Sequence, residues 1–202
     1  MKTLAALVFP EFQTLDLFGP LEMFGDQDNE LEIIIVAESG DPVKSRHGQY
    51  LVPDRTLKDG SDYNYVFVPG GRGTPVEEDN PAITAWLIEA GGKADIVMGV
   101  CTGGALLAKV GLLDGRRATT NKQDFEWSLP FGPKVDWVPK ARWVEDGKFF
   151  TSSGVSAGID MSLAVIAQEF GLEAAEKTAR EAEYDWHRDS NWDPFAQVYG
   201  LV

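Results

Sequence analysis

The sequence predicts an α/β protein in which a mostly parallel sheet is sandwiched between two layers of helices. Short apolar runs that do not alternate with polar residues recur along the chain, as expected for strands buried on both faces. Amphipathic segments of helical length separate these runs, and such an alternation favours parallel connections. The length of 202 residues predicts one domain over residues 1–202, large enough to need no disulfide or structural metal.

Four apolar runs are predicted to be strands of the sheet. Pro10 follows the first run, and the glycine-rich Pro69-Gly70-Gly71 turn follows the third. The predicted strands are Leu4–Phe9, Leu31–Val36, Tyr65–Val68 and Ile96–Val100. Further along, Ala141–Val144 and Lys148–Thr151 flank Glu145-Asp146-Gly147, which predicts a β-hairpin.

Helices are predicted from the spacing of apolar residues and from their end signals. We expect Pro20 to interrupt the first helix and Gly91-Gly92 to stop the second. The predicted helices are Leu15–Phe24, Pro81–Ala90, Thr102–Val110, Gly158–Phe170 and Leu172–Tyr184. The aromatic stretch from Trp186 to Phe195 is predicted to be irregular.

Charge and cysteine content exclude several classes of function. Eighteen basic and 32 acidic side chains give a net charge of −14, which disfavours nucleic acid and anionic membranes as partners. A single cysteine excludes an intrachain disulfide and favours a reducing compartment. The apolar run near the N-terminus is too short to span a membrane and lacks a signal-cleavage site, so a cytoplasmic location is expected.

Cys101 is the strongest candidate for a catalytic residue. It lies in Gly99-Val100-Cys101-Thr102-Gly103, the glycine-flanked pattern of a nucleophile elbow, between a predicted strand and a predicted helix. A lone cysteine is often only a small buried apolar residue. At the start of a helix, however, we expect backbone N–H groups to favour the thiolate and to lower the thiol pKa below about 8.5.

The surroundings of Cys101 disfavour a hydrolytic Cys–His pair. Such a pair needs an imidazole beside the sulfur, but threonine follows the cysteine here. The chain has two histidines, His47 in a polar turn and His187 in the C-terminal segment. His47 is predicted to be solvated, and an approach of His187 to the site remains an open alternative.

Asp16 is the candidate proton donor. It lies among Leu15, Leu17 and Phe18, after the first strand, at the sheet edge where Cys101 should emerge. Burial and a nearby thiolate would both raise the pKa of this carboxyl group toward neutrality. The alternative is that Asp16 only caps a helix.

The Gly70-Gly71 turn is a weaker candidate. Its backbone N–H groups are predicted to form an anion hole together with the Thr102 amide, because both follow the carboxyl ends of strands. Most glycine-rich turns, however, are only turns.

Together these residues resemble the ThiJ/PfpI superfamily over nearly the whole chain. The matching segments are Phe9-Pro10-Glu11, Leu15-Asp16-Leu17, Gly19-Pro20, Pro69-Gly70-Gly71, Val100-Cys101-Thr102-Gly103, the stretch from Gly111 to Thr120, Gly154 and Ala157-Gly158-Ile159-Asp160. The resemblance implies a flavodoxin-like fold of the class I glutamine amidotransferase type. It also implies a homodimer, no metal and no organic cofactor.

An aspartate at position 16 with the Cys101-Thr102 pair is most similar to the isonitrile hydratase branch. That likeness implies attack of Cys101 on an isonitrile, protonation by Asp16, and release of an N-substituted formamide by way of a thioimidate. Thr102 would supply a hydroxyl group, and its amide would join Gly71 in binding developing charge. The branch tends to have histidine where this chain has Asn121-Lys122, and the stretch Thr151–Val155 is poorer in glycine.

Two other functions remain open. One is another thiol reaction of the superfamily, such as the glyoxalase-type conversion of 2-oxoaldehydes, which requires a histidine that the sequence does not place. The other is a non-catalytic redox or stress sensor, whose thiol would be oxidised to a sulfinate beside an acid. We expect small molecules to be the substrates of any enzyme among these alternatives.

Overall fold

The computed structural model describes residues 1–202, and its fold is α/β. The strands are β1 (Lys2–Leu7), β2 (Leu31–Ala37), β3 (Val43–Lys44), β4 (Tyr50–Leu51), β5 (Arg55–Thr56), β6 (Tyr65–Val68), β7 (Ile96–Val100), β8 (Arg117–Ala118), β9 (Asp136–Trp137), β10 (Trp143–Asp146) and β11 (Phe149–Ser152). The helices are α1 (Thr14–Gly25), α2 (Thr74–Glu77), α3 (Pro81–Lys93), α4 (Gly103–Lys109), α5 (Phe125–Ser128), α6 (Ala157–Glu169), α7 (Leu172–Glu181) and α8 (Pro194–Val198). Short 3₁₀ turns cover Leu57–Asp59 and Leu129–Phe131.

Seven strands form the central sheet, in the order β10-β11-β7-β6-β1-β2-β5. All neighbours are parallel except β10 and β11, which form the predicted hairpin. The strand order places β1, β6 and β7 side by side at the centre. Their carboxyl ends therefore share one edge of the sheet, the edge at which α/β proteins bind ligands.

The core follows directly from the continuous apolar runs. Every residue of β6 and β7 is buried, and both strands have the bounds that the sequence predicted. A single cluster of 45 buried residues extends from Leu4 to Ala179. Burial on both faces explains why these strands show no alternation of apolar and polar residues.

Pro20 does not interrupt the first helix, contrary to the sequence expectation. Helix α1 runs through Pro20 to Gly25, and Pro20 is buried where α1 contacts α6. Gly19 allows the close approach of these helices, because a Cβ there would lie 2.8 Å from Ile159 Cγ1. Packing of the buried face therefore outweighs the local cost of proline in the helix.

Gly91-Gly92 does not end the second long helix, which is a further correction. Helix α3 continues through both glycines to Lys93. A Cβ at Gly91 would lie 2.6 Å from Leu112 Cδ1, so this glycine serves a tertiary contact instead of a helix stop. In the stretch predicted to be irregular, helix α8 begins at Pro194, where the buried Asp193 side chain accepts the N–H of Phe195. No helix of the chain is both long and apolar enough to span a bilayer.

Candidate active site

Cys101 lies at the turn between β7 and α4, as the elbow pattern predicted. Its φ of 56° is in the left-handed region, which costs a residue with a side chain on the order of 1–3 kcal/mol. Hydrogen bonds hold the turn: the Cys101 N–H points to Ser152 O at 3.2 Å, and the Thr120 hydroxyl donates to Cys101 O at 2.9 Å. A Cβ at Gly103 would collide with Val68 O, so the elbow also requires glycine there. The surrounding chain thus fixes a strained turn with the thiol at its tip.

Asp16 lies beside this thiol at the start of α1. It is the third residue of the helix and its side chain caps nothing, since Gln13 is at the cap position; the helix-cap alternative is therefore wrong. Asp16 is 0% exposed; its Oδ2 accepts the Gly70 N–H at 3.1 Å, and its Oδ1 has no hydrogen-bond partner of regular geometry. Burial raises the pKa of Asp16 to about 7, although the Gly70 N–H, the Cys101 thiol and the charge of Arg46 each lower it. The carboxyl group can therefore give or take a proton near neutral pH.

The Cys101 thiol is less acidic than the elbow pattern predicted. Burial and then the negative charge of Asp16 raise its pKa well above the ordinary value, while the backbone N–H groups of Thr102 and Val155 lower it only in part. The side chain is 7% exposed, so desolvation outweighs the donors at the turn. At neutral pH the thiol is therefore protonated.

Gly70 and Gly71 are at the site, but their amides do not form the predicted anion hole. The Gly70 N–H donates to Asp16 Oδ2, and the Gly71 N–H donates to Thr102 Oγ1 at 3.0 Å. The Thr102 hydroxyl also contacts Thr74 Oγ1 at 2.8 Å. The two glycine amides therefore position the acid and the hydroxyl, and the backbone amides of Thr102 and Val155 are the groups that lower the pKa of the thiol.

A cavity of about 460 Å³ opens above the thiol. Cys101, Thr102 and Val155 lie together in its wall with Gly71. The remaining lining residues are Gln13, Arg46, Arg72, Pro75, Asn121, Gln123, Asp124 and Trp127. A larger cavity, about 610 Å³ and lined by residues such as Val8, Leu57 and Ile83, does not include Cys101, so we place the chemistry in the smaller one.

Sequence reasoning missed most of the cavity wall. Nothing in the sequence marks Arg46 or Arg72, which lie in turns next to His47 and Gly71. Asn121 is a position at which this chain differs from the isonitrile hydratase branch. That difference is the one sequence signal for this part of the cavity wall. Val155 in the wall and Thr74, which precedes the wall residue Pro75, gave no signal, because their positions depend on how the loops after β6 and β11 fold over the elbow.

Neither histidine lines the cavity. His47 is exposed and its Nδ1 lies 2.9 Å from the Thr14 hydroxyl, while His187 is exposed and its backbone N–H donates to Asp160 Oδ1. The open alternative that His187 approaches the thiol is therefore wrong. The titratable groups next to the thiol are carboxylates, not imidazoles.

The site has an elbow cysteine after β7 and a buried acid from α1. Comparisons of the sequence with known proteins agree with this arrangement. The sequence profile of the DJ-1/PfpI family matches residues 2–168. The chain belongs to the DJ-1/PfpI family. The resemblance to ThiJ/PfpI proteins and the flavodoxin-like fold are thereby confirmed.

Relatives within the DJ-1/PfpI family differ in function. Isonitrile hydratase of Pseudomonas putida is 34% identical over 181 residues, which are 88% of this chain and 76% of that enzyme. A transcriptional regulator of Pseudomonas aeruginosa is 30% identical over 147 residues, covering 73% of this chain and 43% of the regulator. A solved ThiJ/PfpI family protein of Pseudomonas syringae is 34% identical with a TM-score of 0.85, covering 91% of this chain and 75% of that one. Family membership alone therefore does not assign an activity.

Proposed function

We propose that this DJ-1/PfpI protein is a cysteine-dependent hydratase that converts an isonitrile to an N-substituted formamide. The observation that carries the proposal is the buried Asp16 carboxyl group, with a pKa of about 7, beside a protonated thiol in the wall of a small cavity. The likeness to an isonitrile hydratase over most of both chains supports it. In reaction class the enzyme would be a carbon–nitrogen lyase.

The first half of the reaction needs one proton and one nucleophile. The Cys101 thiol loses its proton to the Asp16 carboxylate as sulfur bonds to the terminal carbon of R–N≡C. Asp16 then gives that proton to the same carbon, so the product is a thioimidate, R–N=CH–S, on Cys101. A thiol and a carboxylate together hold the single proton that this addition consumes, which is the state expected near pH 7 and above.

The second half uses water. Water adds to the thioimidate carbon while the nitrogen gains a proton, which gives a tetrahedral R–NH–CH(OH)–S adduct. Asp16 takes the hydroxyl proton and returns it to sulfur as the C–S bond breaks, so R–NH–CHO leaves and the thiol is restored. The overall reaction therefore consumes one isonitrile and one water and releases one formamide, with the thiol and the carboxylate regenerated.

Thr102 and the glycines hold this machinery in place. The Gly71 N–H fixes the Thr102 hydroxyl, and the Gly70 N–H fixes the Asp16 carboxylate. A Cβ at Gly70 would lie 2.5 Å from Thr102 Oγ1 and 3.1 Å from Asp16 Oδ2. The absence of a side chain at Gly70 thus lets the acid and the hydroxyl share one corner of the site.

The two rival functions fit the site less well. A glyoxalase-type reaction would need an imidazole that the cavity wall does not provide. A peroxide sensor needs an exposed thiolate, whereas the Cys101 thiol is buried and its pKa is raised. We therefore expect slow oxidation by peroxide, at a rate no greater than that of free cysteine.

The test is direct mixing of the purified protein with alkyl and aryl isonitriles. Many equivalents of formamide per protein are expected, and mass spectrometry under single-turnover conditions should find an adduct of the isonitrile's mass on Cys101. Cys101→Ser is the matched control and should form neither adduct nor product. Absence of adduct and product across several isonitriles, with the thiol shown to be free, would contradict the proposal.

Assembly, location and domain extent stay predictions. We expect a cytoplasmic homodimer of single-domain chains that binds a small molecule and neither nucleic acid nor membrane. Sedimentation of the purified protein tests the dimer.

A further inference from the structure

We infer that the cavity selects substrates that carry an anionic group, such as a carboxylate, next to the reacting carbon. The inference rests on the proposed function for the identity of the reaction, whereas the preference for anions is a property of the cavity and can be tested without that reaction. Two arginines, Arg46 and Arg72, lie in the wall that also contains Cys101. Neither guanidinium forms a salt bridge or stacks on an aromatic ring.

What distinguishes Arg46 and Arg72 is their place in the cavity wall, since five of the eight arginines in the chain form no salt bridge. Acidic side chains outnumber basic ones by 32 to 18, and Arg116, Arg142 and Arg188 each pair with a carboxylate. Arg72 makes no side-chain hydrogen bond at all, and both Arg46 and Arg72 are exposed at the cavity. A planar guanidinium with free donors matches a carboxylate or phosphate in two-point contact.

The backbone brings the two arginines to the same side of the cavity. The Gln13 N–H donates to Gly70 O at 2.8 Å, and the Arg46 N–H donates to Phe12 O at 2.9 Å. The segment Phe12-Gln13 therefore lies between the loop that contains Arg72 and the turn that contains Arg46. Phe12 also pairs with Gly71, which is next to Arg72 in the chain.

Gln13 positions the Arg46 side chain. It is 8% exposed, it lines the cavity, and its Oε1 accepts a hydrogen bond from Arg46 Nη1 at 2.9 Å. A neutral partner fixes the guanidinium without cancelling its charge. Arg46 also lies close enough to Asp16 to lower the pKa of that carboxyl group.

The cavity lining also includes a carboxylate. Asp124 lines the cavity and accepts a hydrogen bond from Asn121 Nδ2 at 2.7 Å, and its charge contributes to raising the pKa of Cys101. Asp124 and Trp127 come from the segment at α5, whereas Arg46 and Arg72 come from the loops that Phe12-Gln13 connects. We expect the anionic group of the substrate against the arginines and its remainder toward Trp127.

Two alkylating agents of nearly equal size test the charge preference without any isonitrile. Iodoacetate is anionic and iodoacetamide is neutral, and both react with Cys101. The ratio of their rates cancels changes in the reactivity of the thiol itself. Relative to the ratio for glutathione, we expect the protein to favour iodoacetate by about three- to tenfold, and added salt should reduce this preference.

Arg72→Gln and Arg46→Gln should each lower the rate ratio, and the double variant should bring it to the glutathione value or below. Arg180→Gln, on the exposed surface of α7, is the matched control for loss of one positive charge and should leave the ratio unchanged. A wild-type ratio equal to that of glutathione, or a ratio insensitive to both cavity variants, would overturn the inference.

Hydration of isocyanoacetate and of its ethyl ester then links the preference to the reaction. We expect a higher kcat/KM for the acid than for the ester, and loss of this difference in Arg72→Gln. Hydration of both compounds at equal rates would refute the charge preference and leave the hydratase standing. Hydration of neither would refute the hydratase, while the alkylation ratio would still decide whether the cavity prefers anions.

Discussion

Asp16 and Cys101 act on each other through one buried site. Burial and the charge of Asp16 raise the pKa of the Cys101 thiol, whereas the thiol lowers the pKa of Asp16 and so partly offsets the effect of burial. The proton that the two groups share near neutral pH therefore rests on sulfur. Because the two groups are coupled, a titration measures apparent pKa values of the pair, not of either group alone.

Removing the carboxylate should make the thiol more acidic. In Asp16→Asn the negative charge is absent, so the pKa of Cys101 is expected to fall relative to wild type, although burial still raises it above the ordinary value. The ultraviolet absorbance of the thiolate against pH measures this, with Cys101→Ser as the blank. A thiolate step at or below that of free cysteine in the wild type would contradict the structure.

The pH dependence of isonitrile hydration should reflect the titration of Asp16 and Cys101. Asp16 must be ionised to accept the thiol proton, so kcat/KM is expected to rise with pH to a plateau, with a midpoint near the Asp16 pKa of about 7. It should fall again only at alkaline pH, where the thiol loses its proton. A rate that falls as pH increases through 7 would mean that Asp16 acts in its protonated form with no base in the first step.

Asp16→Asn should lose activity and gain stability. The amide keeps the shape of the side chain but cannot transfer the proton, so turnover is expected to drop by roughly 10²–10⁴. The pKa of Asp16 is higher in the folded chain, at about 7, than in the unfolded chain, so the folded protein binds this proton more tightly. The contribution of this proton binding to the free energy of unfolding is complete below about pH 4 and is lost as pH rises to about 7.

Denaturation at several pH values tests the stability half of this prediction. Above pH 7 the Asp16→Asn variant should have a free energy of unfolding on the order of 1–4 kcal/mol greater than wild type, and the difference should shrink at acidic pH. A variant that is less stable than wild type at pH 8 would show that the ionised carboxylate contributes to folding.

The Thr102 hydroxyl is expected to stabilise the turn after β6. Thr102→Val removes the acceptor of the Gly71 N–H, which should cost about 1–3 kcal/mol of unfolding free energy, since a partly buried donor loses its partner. Thr102→Ser keeps the oxygen and should cost much less. Equal losses in the two variants, measured by urea denaturation, would assign the effect to the methyl group instead.

Gly70 should tolerate no side chain. In Gly70→Ala the new Cβ would lie 2.6 Å from Thr102 N, so the elbow or the Asp16 contact must shift, and a loss of at least tenfold in kcat/KM is expected. Gly92→Ala is the control, because Gly92 is within α3 with open space around it. That control should keep full activity and gain up to about 1 kcal/mol of stability.

Sequence patterns predicted the central strands well but predicted the helix ends less well. Strands β6 and β7 have their predicted bounds because burial on both faces leaves a continuous apolar run that turn residues delimit on each side. Helices α1 and α3 pass through Pro20 and Gly91-Gly92, because contacts with Ile159 and Leu112 from distant segments outweigh local propensity.

The sequence by itself determined that Cys101 and Asp16 lie at the same edge of the sheet. Cys101 in its glycine-flanked turn and Asp16 after the first strand follow from local patterns and from the rule that parallel strands end at one edge. Only the tertiary structure decided their protonation and the shape of the cavity, since desolvation and the charge of Asp16 depend on all the chain packed around the thiol. The same holds for Arg46 and Arg72, which come from separate loops and share a wall only because Phe12-Gln13 lies between them.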